Sequence, residues 1–200
     1  SLNIPAVKMM YLVGFDQALD FAEKLHYTTF VNRSAFGLSV VLGGAEVELL
    51  EHTAAYAAFA NDGVYHAPVA ILKVTDANNN ILKEWKADDG ERIVSANVAR
   101  TLSNVLSDDA SRAYIFGTGG KLTLPGRPVA TKTGTTNNNK DAWTMGYTPS
   151  LVTGVWVGNT NGATMKAHAD GSYVAAPVWN EYMRKSLDGT AVEAFTAPTI

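Results

Sequence analysis

The sequence predicts an α+β domain in which a small antiparallel sheet packs against helices, and three observations lead to that prediction. Segments with helical periodicity dominate the first half of the chain, and segments rich in β-forming residues gather near its end. Two of the latter are joined by residues 147–150, a link short enough for an antiparallel hairpin. Helices and strands that are segregated rather than alternating are typical of α+β folds.

The N-terminal part predicts three helices. The first spans residues 4–13 and tolerates Pro5 in its first turn. The second spans 15–25, where apolar residues recur at positions i, i+3, i+4 and i+7. The third spans 46–61 and carries alanines that allow a neighbouring element to approach closely. The stretch 27–44 has no single periodicity, so we expect mixed structure there.

The middle of the chain predicts a hairpin and a helix. Segments 69–75 and 81–85 are rich in β-forming residues and flank a turn of Asp and Asn residues. Ser95 is a favourable N-cap for a helix over 96–106. Residues 108–125 are rich in glycine, and we expect them to be irregular.

The last part predicts the main sheet. Three strands are expected over residues 127–135, 141–147 and 151–159, followed by a closing helix over 176–187. Residues 189–200 are expected to form a loose tail. The sequence thus predicts about three strands in the sheet, besides the small hairpin.

Composition excludes several classes of function. The net charge is −3 and the basic residues are scattered, so we expect no nucleic-acid partner. The chain has no cysteine and its four histidines show no metal-ligand spacing, so we expect no metal and no other cofactor. No apolar run reaches the length of about 20 residues that spans a bilayer.

One strand segment carries groups suited to binding an anionic peptide. Lys132 offers a cation with three hydrogen-bond donors, and Thr133 and Thr135 add hydroxyl groups. Gly134 has no side chain, so another chain can approach the strand. Edge-strand amides can pair with an extended peptide and point at a developing oxyanion. A Lys-Thr-Gly tripeptide also occurs by chance, so the tripeptide alone does not decide the function.

The surroundings of this tripeptide resemble the class A penicillin-binding proteins. That family carries Lys-Thr-Gly together with a Ser-x-x-Lys and a Ser-x-Asn-type element. The resemblance runs from residue 1 to about residue 187 and rests on several segments, which are Ser1-Leu2-Asn3, Leu42-Gly43-Gly44-Ala45-Glu46-Val47, Gly63-Val64-Tyr65, Lys132-Thr133-Gly134-Thr135-Thr136 and Asp141-Ala142-Trp143. It implies the C-terminal portion of a penicillin-binding transpeptidase domain over residues 1–188, with a partial β-lactamase-like fold.

The resemblance also implies catalytic roles. Ser1 would relay a proton between the nucleophile and the leaving group, and Lys132 would hold the Ser1 hydroxyl. The backbone N–H of Thr135 would be one of two donors of the oxyanion hole.

Substrate-binding roles are implied in the same way. Asn3 would bind the backbone of the substrate peptide, while Thr133 and Thr135 would bind its terminal carboxylate beside Gly134. Trp143 would shape the strand next to these residues.

The nucleophile of the family is not in this sequence. The family attacks with the serine of Ser-x-x-Lys, and none of the serines here has a lysine three positions later. In the family that element lies upstream of Ser-x-Asn. We therefore expect the nucleophile in an upstream N-terminal part of the same protein, and an isolated chain that is inactive.

By resemblance, the parent protein is a D,D-transpeptidase that cross-links peptidoglycan through an acyl-serine intermediate. Its partners would be stem peptides ending in D-Ala-D-Ala and β-lactam antibiotics. It would also carry a glycosyltransferase and a membrane anchor, and would lie on the extracytoplasmic face of the bacterial plasma membrane. The alternative is a non-catalytic module that binds D-Ala-D-Ala termini. A serine β-lactamase is disfavoured, since nothing here suggests a dedicated deacylation base.

The family's sheet has five strands, and its last strand pairs with one from the upstream part. Without that partner, strand 151–159 would leave an apolar edge, and we expect either self-association through this edge or another segment that covers it.

Overall fold

The computed structural model describes residues 1–199, and within them the predicted α+β class is confirmed. The helices, in chain order, are α1 (Asn3–Val13), α2 (Phe15–Lys24), α3 (Leu49–Ala60), α4 (Ala96–Ser107), α5 (Asp109–Phe116) and α6 (Ala176–Ser186). The strands are β1 (Val64–Tyr65), β2 (Lys73–Thr75), β3 (Ile81–Glu84), β4 (Glu91–Arg92), β5 (Ala130–Thr135), β6 (Asp141–Tyr147) and β7 (Val152–Gly158). None of the helices described is long and apolar enough to cross a bilayer.

The main sheet is antiparallel with the order β5-β6-β7, as the sequence predicts. Its register places Lys132 opposite Met145, which in turn lies opposite Gly154. Both β5 and β7 are edge strands among the residues described. Self-association through the half-buried β7 stays a prediction.

Two glycines let helices approach the two faces of this sheet. A Cβ on Gly146 would lie 2.4 Å from the Trp179 ring of α6, and one on Gly154 would lie 2.4 Å from Thr53 Oγ1 of α3. Gly154 shares a face with its partner Met145, and Gly146 therefore points to the other face. The sheet is thus covered by α6 on one face and by α3 on the other.

A second apolar cluster joins α2 to α3. Its buried residues are Leu25, Ala54, Ala55, Ala58 and Tyr65. Helix α3 begins at Leu49 rather than at residue 46, because Glu48 has an extended backbone and Thr29 Oγ1 donates a hydrogen bond to Glu46 O at 2.6 Å. Between α2 and α3 the chain makes three short 3₁₀ turns, where the sequence predicts mixed structure.

The prediction of irregular structure over residues 108–125 is wrong for the first half of this segment, which forms α5. The carboxylate of Asp108 accepts a hydrogen bond from Ser111 N–H and caps this helix, which ends at Gly117 with φ 69°. The glycines that follow the helix led to the prediction of irregular structure. The N-cap predicted at Ser95 is confirmed, since its side chain accepts from Val98 N–H at 3.4 Å.

Three smaller features differ from the expectations. The predicted hairpin forms as β2–β3 but is shorter, and both strands are exposed. The sequence gives no signal for the two-residue ladder between β1 and β4. A π-helical turn, Gly171–Ala175, precedes α6 and was also not predicted.

The tail differs from the loose segment expected over 189–200, of which residue 200 lies outside the described residues. It forms no helix or strand up to residue 199, but several of its residues contact the domain. Phe195 packs edge-on against Tyr147 with ring centroids 5.7 Å apart, and Ser150 Oγ bonds to Glu193. Asn97 exchanges two hydrogen bonds with the backbone of Thr199. These contacts fix the tail against the domain.

Candidate active site

The centre of the site is the side chain of Lys132 on β5. Its Nζ donates a hydrogen bond to Ser1 Oγ at 2.9 Å and to Thr133 O at 2.6 Å. Burial lowers the pKa of this lysine, because desolvation disfavours its charged form. The structure therefore brings Ser1 and Lys132 together although they lie 131 positions apart in the sequence.

Beside Lys132, the outer edge of β5 offers unpaired backbone amides. Thr136 N–H donates to Asp141 O at 3.1 Å, toward β6. Because amides alternate in direction along an antiparallel strand, those of Thr133 and Thr135 point to the other edge. No strand among residues 1–199 pairs with that edge. It can accept an extended peptide, with the Thr135 amide placed to donate to a carbonyl oxygen.

The turn that follows β5 is closed by Asp141. Thr136 Oγ1 donates to Asp141 Oδ2 at 2.6 Å and accepts from Asp141 N–H at 3.0 Å. Trp156 Nε1 on β7 donates to Asp141 Oδ1 at 3.0 Å. Both oxygens of the Asp141 carboxylate thus accept hydrogen bonds, and these bonds fix the end of β5.

These groups line one cleft of about 1500 Å³. Asn3 lies exposed at the start of α1 and lines the cleft together with Ser1. Thr133, Gly134 and Thr135 also line the cleft. All the residues that the sequence nominates for substrate binding therefore face one space, although no hydrogen bond of the Asn3 side chain is present within residues 1–199.

Trp143 and His52 also line the cleft. Trp143 lies opposite Gly134 in the β5–β6 ladder, and its ring meets that of His52 edge-on at 5.7 Å. The Tyr27 hydroxyl and His52 Nδ1 share a hydrogen bond of 2.5 Å. Burial lowers the pKa of His52 to about 4 and raises that of Tyr27, so both groups are neutral near pH 7.

A comparison with known families decides what this cleft belongs to. The profile described as the penicillin binding protein transpeptidase domain matches residues 5–184. This chain belongs to the penicillin-binding protein transpeptidase family. Its resemblance to the class A members of that family is confirmed by curated relatives named penicillin-binding protein 1A.

The relatives are similar over most of this chain. Penicillin-binding protein 1A of Aquifex aeolicus is 36% identical over 185 residues, which are 92% of this chain and 24% of that protein. The protein of the same name from Mycolicibacterium smegmatis is 37% identical over 171 residues, 80% of this chain and 21% of the relative. The chain thus spans about a quarter of the length of the curated relatives it matches.

Solved structures of the family share the fold. The PonA1 protein from Mycobacterium tuberculosis in complex with penicillin V has a TM-score of 0.80 and 30% identity, covering 97% of this chain and 56% of that one. Penicillin-binding protein 1A from Haemophilus influenzae has a TM-score of 0.83 over 98% of this chain and 34% of that one. At 23% identity the latter supports the fold alone.

Two parts of this candidate site were not predicted from the sequence. The pair of Tyr27 and His52 comes from segments without a motif, and only the fold brings it to Trp143. Gly171, whose N–H donates to Thr135 Oγ1 at 3.1 Å, lies 36 residues beyond that threonine. A glycine just before a closing helix was the only available signal for this contact.

Proposed function

We propose that this chain forms the substrate-binding wall of a serine D,D-transpeptidase that cross-links peptidoglycan. The observation that carries the proposal is the 2.9 Å contact from Lys132 Nζ to Ser1 Oγ beside the open edge of β5. The attacking serine would come from a Ser-x-x-Lys segment upstream, since no such element is present in these 200 residues.

In this proposal a stem peptide ending in D-Ala-D-Ala lies along β5. The hydroxyls of Thr133 and Thr135 bind its carboxylate in the field of Lys132, and the Asn3 amide binds its backbone. The Thr135 N–H is one donor of the oxyanion hole, directed at the carbonyl oxygen that becomes negative during attack.

Acylation forms a bond from the serine oxygen to the carbonyl carbon and breaks the amide bond to the last D-alanine. Because Lys132 Nζ donates to Ser1 Oγ, the Ser1 proton is free to pass to the departing amine. Ser1 then recovers a proton from the nucleophile. An amine of a neighbouring strand would take the acyl group in the second step, and a β-lactam would acylate the same serine.

The parent protein would be bifunctional, with a glycosyltransferase and a membrane anchor, and would work on the extracytoplasmic face of the plasma membrane. Support comes from the relatives named penicillin-binding protein 1A, which are about four times as long as the matched part.

Labelling with a fluorescent penicillin tests the proposal on two proteins, the 200-residue chain and the same chain extended upstream by its own gene. We expect no covalent label on the shorter protein and stoichiometric label on the longer one. In the longer protein Lys132→Met should slow labelling by about a hundredfold or more, since proton transfer and positioning are both lost. Lys86→Met, at an exposed position just after β3, should leave the rate unchanged.

Two outcomes would overturn the assignment. Covalent labelling of the 200-residue chain would show that it contains a nucleophile of its own. An extended protein that stays unlabelled yet binds D-Ala-D-Ala peptides would instead be a non-catalytic binding module.

A further inference from the structure

The turn before α6 reaches the substrate-binding strand through one backbone amide. Gly171 N–H donates to Thr135 Oγ1 at 3.1 Å, and Gly171 O accepts from the buried Thr144 hydroxyl at 3.0 Å. A Cβ at position 171 would lie 2.4 Å from Trp143 O and 2.6 Å from Gly134 O. Only glycine can bring its amide this close to the strand.

Asp170 holds this turn in place. Its Oδ1 accepts hydrogen bonds from Ser172 N–H at 2.9 Å, from Ser172 Oγ at 2.6 Å and from Tyr173 N–H at 3.2 Å. These bonds fix the backbone on the C-terminal side of Gly171. Asp170 therefore sets the direction of the Gly171 amide without touching Thr135 in any hydrogen bond that the structure contains for residues 1–199.

The contact decides which way the Thr135 hydroxyl can act. A hydroxyl has one donor proton and two acceptor lone pairs. Gly171 N–H occupies an acceptor position, so the proton of Thr135 must point elsewhere. Within the described part of the chain that proton has no acceptor, and Thr135 is exposed on the cleft wall. The Thr135 hydroxyl is thus oriented as a donor to whatever occupies the cleft.

We propose that Asp170 is a positioning residue that, through Gly171, presents the Thr135 hydroxyl as a donor to the terminal carboxylate of the ligand. The inference rests on the proposed function, in which that carboxylate lies against Thr133 and Thr135. It predicts that Asp170 affects the recognition of the ligand carboxylate and leaves the binding of the rest of the ligand unchanged.

The test compares two ligands that differ only at the carboxylate, diacetyl-L-Lys-D-Ala-D-Ala and its C-terminal carboxamide. Their affinities for the 200-residue chain are measured by NMR titration at temperatures well below unfolding. We expect the wild type to prefer the acid, and Asp170→Ala to reduce that preference about tenfold, the effect of a weakened hydrogen bond to a charged group. Affinity for the carboxamide should change little.

Matched variants separate positioning from general damage. Asp170→Asn keeps an oxygen that can accept from the same amides, so it should retain most of the preference. Asp89→Ala removes an exposed aspartate in the same way and should have no effect. In a Thr135→Val background, Asp170→Ala should cause no further loss, because the hydroxyl that it positions is gone.

The outcomes distinguish failure of the proposed carboxylate site from failure of the proposed role of Asp170. A wild type that binds acid and carboxamide equally would overturn the carboxylate site, and with it the proposed function. A wild type that prefers the acid, with a folded Asp170→Ala variant that keeps the full preference, would overturn the role of Asp170 alone. If Asp170→Ala does not fold, Asp170→Ser takes its place in the test. Serine caps the turn less well than aspartate, so the preference for the acid should fall by less than in Asp170→Ala. An unchanged ratio of the acid and carboxamide affinities in Asp170→Ser would equally overturn the role of Asp170.

Discussion

Helices α1 and α6 have the same length of 11 residues, yet they are packed in opposite ways. Helix α6 buries Trp179 and Met183 against the sheet and turns polar residues outward. Helix α1 is apolar on all sides and buries only Met10, leaving Ile4 77% exposed and Leu12 73% exposed. A helix that is apolar all round is normally buried, so α1 has a surface that residues 1–199 do not cover.

This difference divides the candidate active site in two. Lys132 is on a strand whose sheet is fixed by α6 and α3, whereas Ser1 and Asn3 are on or next to a helix with little buried surface. The lysine half of the site is therefore built by this chain alone. The position of the serine half depends on the weaker packing of α1 against the 3₁₀ turn Leu38–Leu42.

The sharpest test of the comparison removes one methionine from each helix. Met183 of α6 is fully buried and Met9 of α1 is 57% exposed. We expect Met183→Ala to lower the free energy of unfolding by about 2–5 kcal/mol, through lost burial and the cavity left behind. Met9→Ala should change it by less than about 0.5 kcal/mol. Urea unfolding followed by circular dichroism measures both.

Equal losses in the two variants would contradict the comparison, since they would mean that α1 is buried in solution. Covering α1 with a second copy could produce that result. Repeating the measurement over a range of protein concentrations distinguishes this case, because dimerisation makes the apparent stability concentration-dependent.

The sheet region was also the part most predictable from sequence. Strands β5 to β7 were anticipated in order and within a few residues, because β-forming residues and short links are local signals. The contact of Lys132 with Ser1 was expected from family resemblance, not from any local pattern. The cap at Asp108 is a local bond to Ser111, and the glycine-rich sequence after it led to the wrong prediction there. The turn at Gly171 and the position of His52 depend on contacts between distant segments, which no local pattern encodes.

His52 connects the sheet to the segment that follows α2, and its titration gives the second prediction. It lies on α3, shares a hydrogen bond with Tyr27 and contacts the ring of Trp143 in the sheet. Burial lowers its pKa from 6.5 to about 4, so the unfolded chain binds a proton here that the folded chain does not. This contribution to stability is complete above pH 6.5 and is lost as the pH falls toward 4. The loss is about 3 kcal/mol over that window, from 1.36 kcal/mol per pKa unit.

The expected result is that His52→Gln unfolds with a weaker pH dependence between pH 4 and 6.5 than the wild type. His168→Gln, at an exposed position, should leave the wild-type slope in place. Chemical denaturation at several pH values gives the slopes. If His52→Gln and the wild type lose stability in parallel as the pH falls, the histidine is solvated in solution and is not buried between Tyr27 and Trp143.

The smallest expected change in the free energy of unfolding concerns two threonine hydroxyls, one just after β5 and one before the first 3₁₀ turn. Thr136 Oγ1 donates to Asp141 at 2.6 Å in a partly buried turn, and Thr28 Oγ1 donates to Glu51 at 2.7 Å on the surface before the first 3₁₀ turn. Thr136→Val should cost about 1–2 kcal/mol because it leaves the Asp141 carboxylate and amide each short of one partner. Thr28→Val should cost less than about 0.5 kcal/mol, since water replaces the lost bond. Thr136→Ser keeps the hydroxyl and should retain most of the stability. If Thr136→Ser loses as much stability as Thr136→Val, packing of the methyl group fixes the end of β5, and the hydrogen bonds of the hydroxyl with Asp141 do not.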